Sequence, residues 1–280
     1  MYRALATGPI GVNVPFQEAV RLARAYGFQG ISVGMAQIDE LGAPAVHRLL
    51  EDNNLIPAVT GVPAGLGADD ATFHRDMANL PAFAETMSAL GCARATTWFK
   101  PWHETLSFGA RFEQMRGRAH QLCAVLAEYG MRFGLEFVGP ETSRRGKPNP
   151  FIHDIDGLLG LIRAVGVDNL GFLLDSFHWY TSGGTGQDLD KLSDPLVVAV
   201  HVNDAPAGVS RQEQMDQVRA MPGETGVIDM TTFLGALDRM GYSGPVIVEP
   251  FCEWVRALSP EEAVAATARA LDRIWHIAGI

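Results

Sequence analysis

The chain has 280 residues, of which 47% are hydrophobic and 19% charged, with a formal net charge of −10. That apolar fraction is enough for a sizeable core and excludes a disordered chain. The acidic excess, spread along the chain, argues against nucleic acid or an anionic membrane surface as partners.

In chain order, the sequence repeats one local pattern: a helical segment, a glycine, then an apolar run. It occurs at Tyr26-Gly27 before GISVGM, Leu90-Gly91 before CARATTWF and Tyr129-Gly130 before MRFGLEFV. It returns at Val165-Gly166 before LGFLLD and at Met240-Gly241 before PVIVEP. Glycine there predicts a left-handed helix C-cap turning into the next strand. The helical segments are amphipathic; in PFQEAVRLARAYG, for example, Phe16, Ala19, Val20, Ala23 and Tyr26 share a face. The runs after the glycines read as parallel strands covered on both sides.

Eight strands are predicted: RALATG, GISVGM, IPAVTGV, ARATTWF, MRFGLEFV, LGFLLD, LVVAVHV and PVIVEPF. Each is followed by a segment able to form a helix, the last opening with the capping signature Ser259-Pro260-Glu261-Glu262. Eight βα units in this length predict an α/β fold, a (β/α)8 TIM barrel forming a single domain over residues 1–280. A doubly wound open sheet is the alternative, but it usually has fewer strands and a glycine-rich nucleotide loop after the first. No Pro- or Ser-rich linker divides the chain. The long loops 139–150 and 204–226 follow strands, where a barrel builds its active site.

Four consecutive predicted strands end in acidic or imidazole side chains: Glu136, Asp175, His201 and Glu249. Strand tips lie about 4.8 Å from their neighbours, so these groups converge. Three crowded carboxylates repel unless a cation neutralises them. With one imidazole they form a ligand set for one divalent metal ion: Mn²⁺, Mg²⁺, Co²⁺ or Zn²⁺. Taken singly, each residue has a bland reading as a loop cap, an ion-pair partner or a satisfied histidine; the succession over four strands favours the metal. His178 reads as a substrate-contacting donor or as packing between Phe177 and Trp179. Arg219 and Glu224, in RAMPGETGVID, are candidate substrate-binding residues, with Arg219 aimed by the Pro-Gly turn or simply solvated. Trp98 and Trp102, in TTWFKPWHE, are candidate pocket walls or ordinary loop packing. Ser182–Gly186 lacks the spacing of a phosphate loop and reads as a turn.

Cys92, Cys123 and Cys252 are too scattered for a CxxC site, and an odd, sparse count fits a reducing cytoplasm. The opening MYRALATGPIGV has no basic region followed by a signal-like apolar run, and no stretch approaches about 18 uninterrupted apolar residues. A cytoplasmic enzyme with no membrane partner is expected, and homo-oligomerisation is left open.

These residues in this order resemble the xylose isomerase-like TIM-barrel superfamily, in its sugar phosphate isomerase/epimerase branch, which includes ketose 3-epimerases, hydroxypyruvate isomerase and inosose dehydratase. The resemblance runs along essentially the whole chain, through LEF, LLDSFH, HVND, RAMPGE and VEPF. It implies that Glu136, Asp175, His201 and Glu249 bind the metal, that the two glutamates are catalytic proton carriers, and that His178 and Arg219 hold substrate oxygens. The implied activity is a sugar (ketose or keto-polyol) isomerase or epimerase working through a metal-stabilised enediolate. A dehydratase of a keto-inositol-type substrate and a non-catalytic metal- or carbohydrate-binding barrel are the alternatives. Two departures stand out: Pro-Gly-Glu-Thr-Gly at 222–226, where the family commonly has Pro-Gly-Glu-Gly, and no acidic residue in GISVGM. The three-zinc DNA-repair nuclease of the same fold is disfavoured, because no histidine lies between His201 and His276. Xylose isomerase proper is disfavoured by the missing Asp-x-Asp motif near strand seven.

Overall fold

A computed structural model describes residues Met1–Ile280. All eight predicted strands are present, but the third is divided, so the sheet has nine: β1 (Tyr2–Leu5), β2 (Gly30–Ile31), β3 (Ile56–Pro57), β4 (Thr60–Gly61), β5 (Arg94–Phe99), β6 (Arg132–Phe137), β7 (Leu170–Asp175), β8 (Val197–Val202) and β9 (Pro245–Val248). Every pairing is parallel, in the order β3-β2-β1-β9-β8-β7-β6-β5-β4. The two ends of that order, β3 and β4, are separated in sequence only by Ala58 and Val59. The first half of the third strand pairs with β2 and its second half with β5. The sheet therefore curls round on itself as a TIM barrel. Pro57 has no amide to donate, so the change of partner falls where the ladder is already weakened.

The outer layer comprises α1 (Phe16–Ala25), α2 (Met35–Leu41), α3 (Ala43–Asp52), α4 (Asp70–Ala89), α5 (Phe108–Glu128) and α6 (Ile155–Val165). It continues with α7 (Ser176–Thr181), α8 (Gly186–Leu189), α9 (Met230–Arg239), α10 (Glu253–Arg256) and α11 (Pro260–Ala278). The five glycines that mark helix–strand junctions have φ between 67° and 81°, as the pattern predicts. The capping box at Ser259 and Glu262 is formed. On α1, Phe16, Ala19, Val20, Leu22 and Ala23 are buried against the sheet. No helix is long and apolar enough to cross a membrane.

Register decides which side chains enter the ring. Ala4 pairs with Ile247, Ile247 with His201, and His201 with Asp175, so these residues share a face. Below the polar tips, Ala4, Ala58, Val59, Leu173, Ala199 and Ile247 form a small apolar cluster that floors the mouth. Leu173 and Asp175 point inward, and Phe172 and Leu174 alternate outward into the main core between sheet and helices. Burying two such side chains completely stabilises the fold by roughly 1.5–3 kcal/mol each.

Candidate metal centre

The four predicted strand-end residues meet. Glu136, Asp175, His201 and Glu249 each offer one ligand atom, and these atoms lie within 4.8 Å of one another. His201 Nδ1 is 3.4 Å from Glu136 Oε1, 3.3 Å from Glu249 Oε2 and 3.9 Å from Asp175 Oδ2. Glu136 Oε1 and His201 Nδ1 are both buried without a hydrogen-bond partner, since their mutual approach does not have hydrogen-bonding geometry. Two such orphans facing one point are costly for a protein. A divalent cation would satisfy both, and a mixed carboxylate–imidazole donor set suits it.

The electrostatics are those of a crowded, dry cluster. Burial pushes Glu136 above its ordinary pKa, with Glu249 adding to the rise and His201 opposing it. Burial would also raise Glu249, but His201 and Arg219 outweigh it and hold that carboxyl low. Asp175 is likewise opposed by burial, yet Arg219 foremost, then His178, His201 and Asn203, bring it down to about 2. Burial disfavours charge on His201; Glu249 and Glu136 overcome that and raise it well above the usual imidazole value.

The spacing of Asp175 and His178 has a local cause. Asp175 is the N-cap of α7: its Oδ1 accepts from the N–H groups of Phe177 at 2.6 Å and His178 at 3.2 Å. One oxygen closes the helix, and the other, Oδ2, is left for the cluster. One turn on, His178 is 2% exposed, with Nε2 4.0 Å from Glu136 Oε2 and 3.7 Å from Asp216 Oδ1. Its Nδ1 accepts from the Gly139 N–H at 3.2 Å, so in the neutral ring Nε2 carries the proton; Arg219 Nη2 is 3.3 Å from Nε2, nearer than either carboxylate. Glycine is required at 139, because a Cβ there would sit 2.2 Å from the carbonyl oxygen of His178.

Arg219 is buried rather than solvated. Its Nη1 donates to Asp175 Oδ2 at 2.8 Å and to Glu249 Oε2 at 3.2 Å, and its Nη2 donates to Asp216 Oδ1 at 2.8 Å. The rings of Phe177 and Phe251 lie on it at 4.8 and 4.9 Å. Phe251 has φ 39°, an uncommon conformation for a bulky residue, directly after the Glu249-Pro250 strand end. Burial opposes the charge on Arg219, but Asp175, Glu249 and Asp216 raise its pKa beyond the ordinary arginine range. Its guanidinium thus braces the cluster from the loop after β8.

Glu224 is exposed, and its carboxylate accepts from the N–H of Met221 in its own turn. It borders a shallow depression with Trp254, Arg269 and Arg273 beside α11, away from the four strand-end groups. Trp98 pairs in register with Glu136, so it shares the inward face of the sheet, and it is 57% exposed at the mouth. Trp102 lies in the loop beyond β5, bridged to Pro150.

Three residues in the site escaped the sequence reading. Asn203 is fully buried and donates from Nδ2 to both oxygens of Asp175, at 3.2 and 3.1 Å. Asp216 joins Arg219 to His178. Asp204, also fully buried, accepts from the N–H groups of Ala205, Thr225, Gly226 and Ile228. Thr225, the extra residue of Pro-Gly-Glu-Thr-Gly, is therefore a tether: its Oγ1 also donates to the carbonyl of Ala205. The only signal for the first and last was the polar pair Asn203-Asp204 closing the strand-end run His201-Val202-Asn203-Asp204.

A family model described as a xylose isomerase-like TIM barrel matches residues 20–274. The chain belongs to this family. Inosose isomerase of Halalkalibacterium halodurans is 32% identical to this member of the xylose isomerase-like family over 147 residues, covering 51% of this chain and 48% of that protein. The 3-dehydroshikimate dehydratase of Pseudomonas aeruginosa is 33% identical over 98 residues, which are 35% of this chain and 15% of that protein. The chain thus spans about half the length, or less, of the named relatives it matches. A xylose isomerase domain protein from Alicyclobacillus acidocaldarius superposes with a TM-score of 0.90 at 28% identity, covering all of both chains. The IolI protein with a bound zinc atom superposes at 0.84 with 19% identity over 98% of each chain, a likeness of fold.

Proposed function

We propose that the chain is a divalent-metal-dependent isomerase or epimerase of a ketose or keto-polyol. The observation that carries this reading is the convergence of Glu136, Asp175, His201 and Glu249, with two buried atoms left orphaned toward one point. In the proposal these four residues hold one divalent cation. When bound, the cation supplies Lewis-acid polarisation of a carbonyl and the adjacent hydroxyl.

The remaining work belongs to the chain. One of Glu136 and Glu249 takes the proton from the carbon next to the carbonyl, and the other returns a proton. Return to the same carbon from the opposite face is epimerisation; return to the neighbouring carbon is isomerisation. His178, fixed by Gly139 as an Nε2 donor, holds a substrate oxygen next to Glu136. Arg219 and Asn203 keep Asp175 ionised and aimed. Trp98, exposed at the mouth, offers the substrate a wall. Sequence similarity to proteins named inosose isomerase supports a keto-inositol as one substrate class. Similarity to a 3-dehydroshikimate dehydratase favours a second reading, in which a hydroxyl β to the carbonyl leaves after the same proton abstraction.

The test is solvent deuterium exchange, followed by NMR, over a panel of ketoses and inososes with Mn²⁺ or Zn²⁺. Metal-dependent incorporation next to the carbonyl is expected, falling on the order of 10²-fold or more in Glu136→Gln and Glu249→Gln. Loss of water from the product would select the dehydratase reading. No incorporation across the panel by metal-loaded protein would sink both.

A further inference from the structure

Beside the cluster, the loops after β4 and β5 enclose a cleft of about 450 Å³. Trp98, on the same sheet face as Glu136, forms the wall nearest the cluster. Trp102 forms another, with Lys100 Nζ 5.1 Å and Lys147 Nζ 5.2 Å from its ring. Arg111, from the first turn of α5, also lines the cleft and is only 3% exposed. Its Nη1 donates to the carbonyl of Leu66 and to Gln114 Oε1. Its Nε is buried without a partner, and Arg111 takes part in no salt bridge.

A buried guanidinium without a carboxylate is an anomaly, because desolvation of a charge is normally offset by a counterion. The charge that acts on Arg111 makes this worse: after burial, it is Arg118 that pushes Arg111 down, to about 10, so it stays cationic near neutral pH. Arg118 has its own partner in Asp70. Burial holds His103 at the cleft low, and Arg111, Arg118 and Lys100 add to that more than Glu104 opposes it. A chain of net charge −10 thus gathers cations at one end of its mouth.

We infer that this cleft is an oxyanion subsite: the substrate carries a carboxylate or a phosphate monoester that pairs with Arg111 and Lys100, while its carbon skeleton lies against Trp98 and Trp102. This deepens the isomerase/epimerase reading, on which it rests for the keto end alone. The anion pairing stands or falls independently.

The test is calorimetric titration of metal-free protein, so that no anion reads out a bound cation, with inorganic phosphate, fructose 6-phosphate, glucuronate and neutral fructose. At least one anion should bind at least 10-fold more tightly than fructose; whether phosphate or carboxylate wins names the headgroup. Arg111→Met should lower anion affinity at least 10-fold and leave fructose unchanged, and Arg111→Lys should restore part of it. If Arg111→Met does not fold, Arg111→Lys and Lys100→Gln carry the comparison, each lowering anion affinity several-fold. No saturable anion binding, or anion binding indifferent to these substitutions, would overturn the inference. Deuterium exchange then separates the two claims. Arg111-dependent anion binding without exchange of any sugar leaves the subsite standing and removes the isomerase; exchange with no preference for anionic sugars removes the subsite.

Discussion

Replacing Asp204 by Ala tests how the long loop after β8 is held over the site. Asp204 is fully buried, and its two oxygens receive four backbone N–H groups: Ala205 at 2.9 Å and Ile228 at 2.9 Å on Oδ1, Thr225 at 3.0 Å and Gly226 at 2.8 Å on Oδ2. The first two bonds are buried; the other two lie where water can replace the acceptor. Counting only the buried pair, at roughly 1.5 kcal/mol or more per bond to a charged acceptor, the loss is about 3 kcal/mol. Recovered desolvation of the carboxylate keeps it from being much larger. Asp204→Asn retains an acceptor on one side and should cost about half. Urea unfolding measures the stability change, and amide exchange should show faster opening of residues 205–228, the segment carrying Asp216 and Arg219. A stability change below about 0.5 kcal/mol for Asp204→Ala, with unchanged exchange in that segment, would refute the loop-anchor reasoning.

The positioning of Asp175 by Asn203 predicts that Asn203→Ala weakens divalent-ion affinity by roughly 10–100-fold, the usual effect of removing a partner of a ligand, as read by Mn²⁺ titration. Gly139→Ala should destabilise the protein by about 1–3 kcal/mol, because its Cβ would meet the His178 carbonyl at 2.2 Å, and the urea midpoint reports it.

Much of the fold is legible in the sequence because its signals are local. A helix ending in glycine and running into an apolar strand repeats five times, and each glycine adopts the left-handed conformation expected of it. The convergence of the strand-end side chains is legible for a related reason: in a parallel sheet, the residue that ends a strand projects where its neighbours' last residues project, so Glu136, Asp175, His201 and Glu249 can be grouped before any coordinates. The division of the third strand is a property of ring closure, set by which neighbours IPAVTGV pairs with, and leaves only Pro57 as a hint. The role of Asp216 depends on how the loop of residues 205–228 folds back over β8, which no periodicity encodes. Arg219 could be singled out in the sequence as an anchor or as a solvated loop arginine, but its burial against the cluster, with Phe177 and Phe251 on its guanidinium, required the loop's path. The same is true of Glu224, adjacent in sequence to the site yet turned toward α11. Arg111 is invisible to strand-end reasoning, since it reaches the mouth from a helix.

The central claim is that four strand-end side chains form one divalent-cation site. Calorimetric titration of dialysed protein with Mn²⁺ or Zn²⁺ tests it most directly. One ion per chain should bind saturably, and Glu136→Gln and His201→Ala should each lower its affinity by at least 100-fold while the protein stays folded. Absence of saturable binding, or an affinity unchanged in both variants, would contradict the claim.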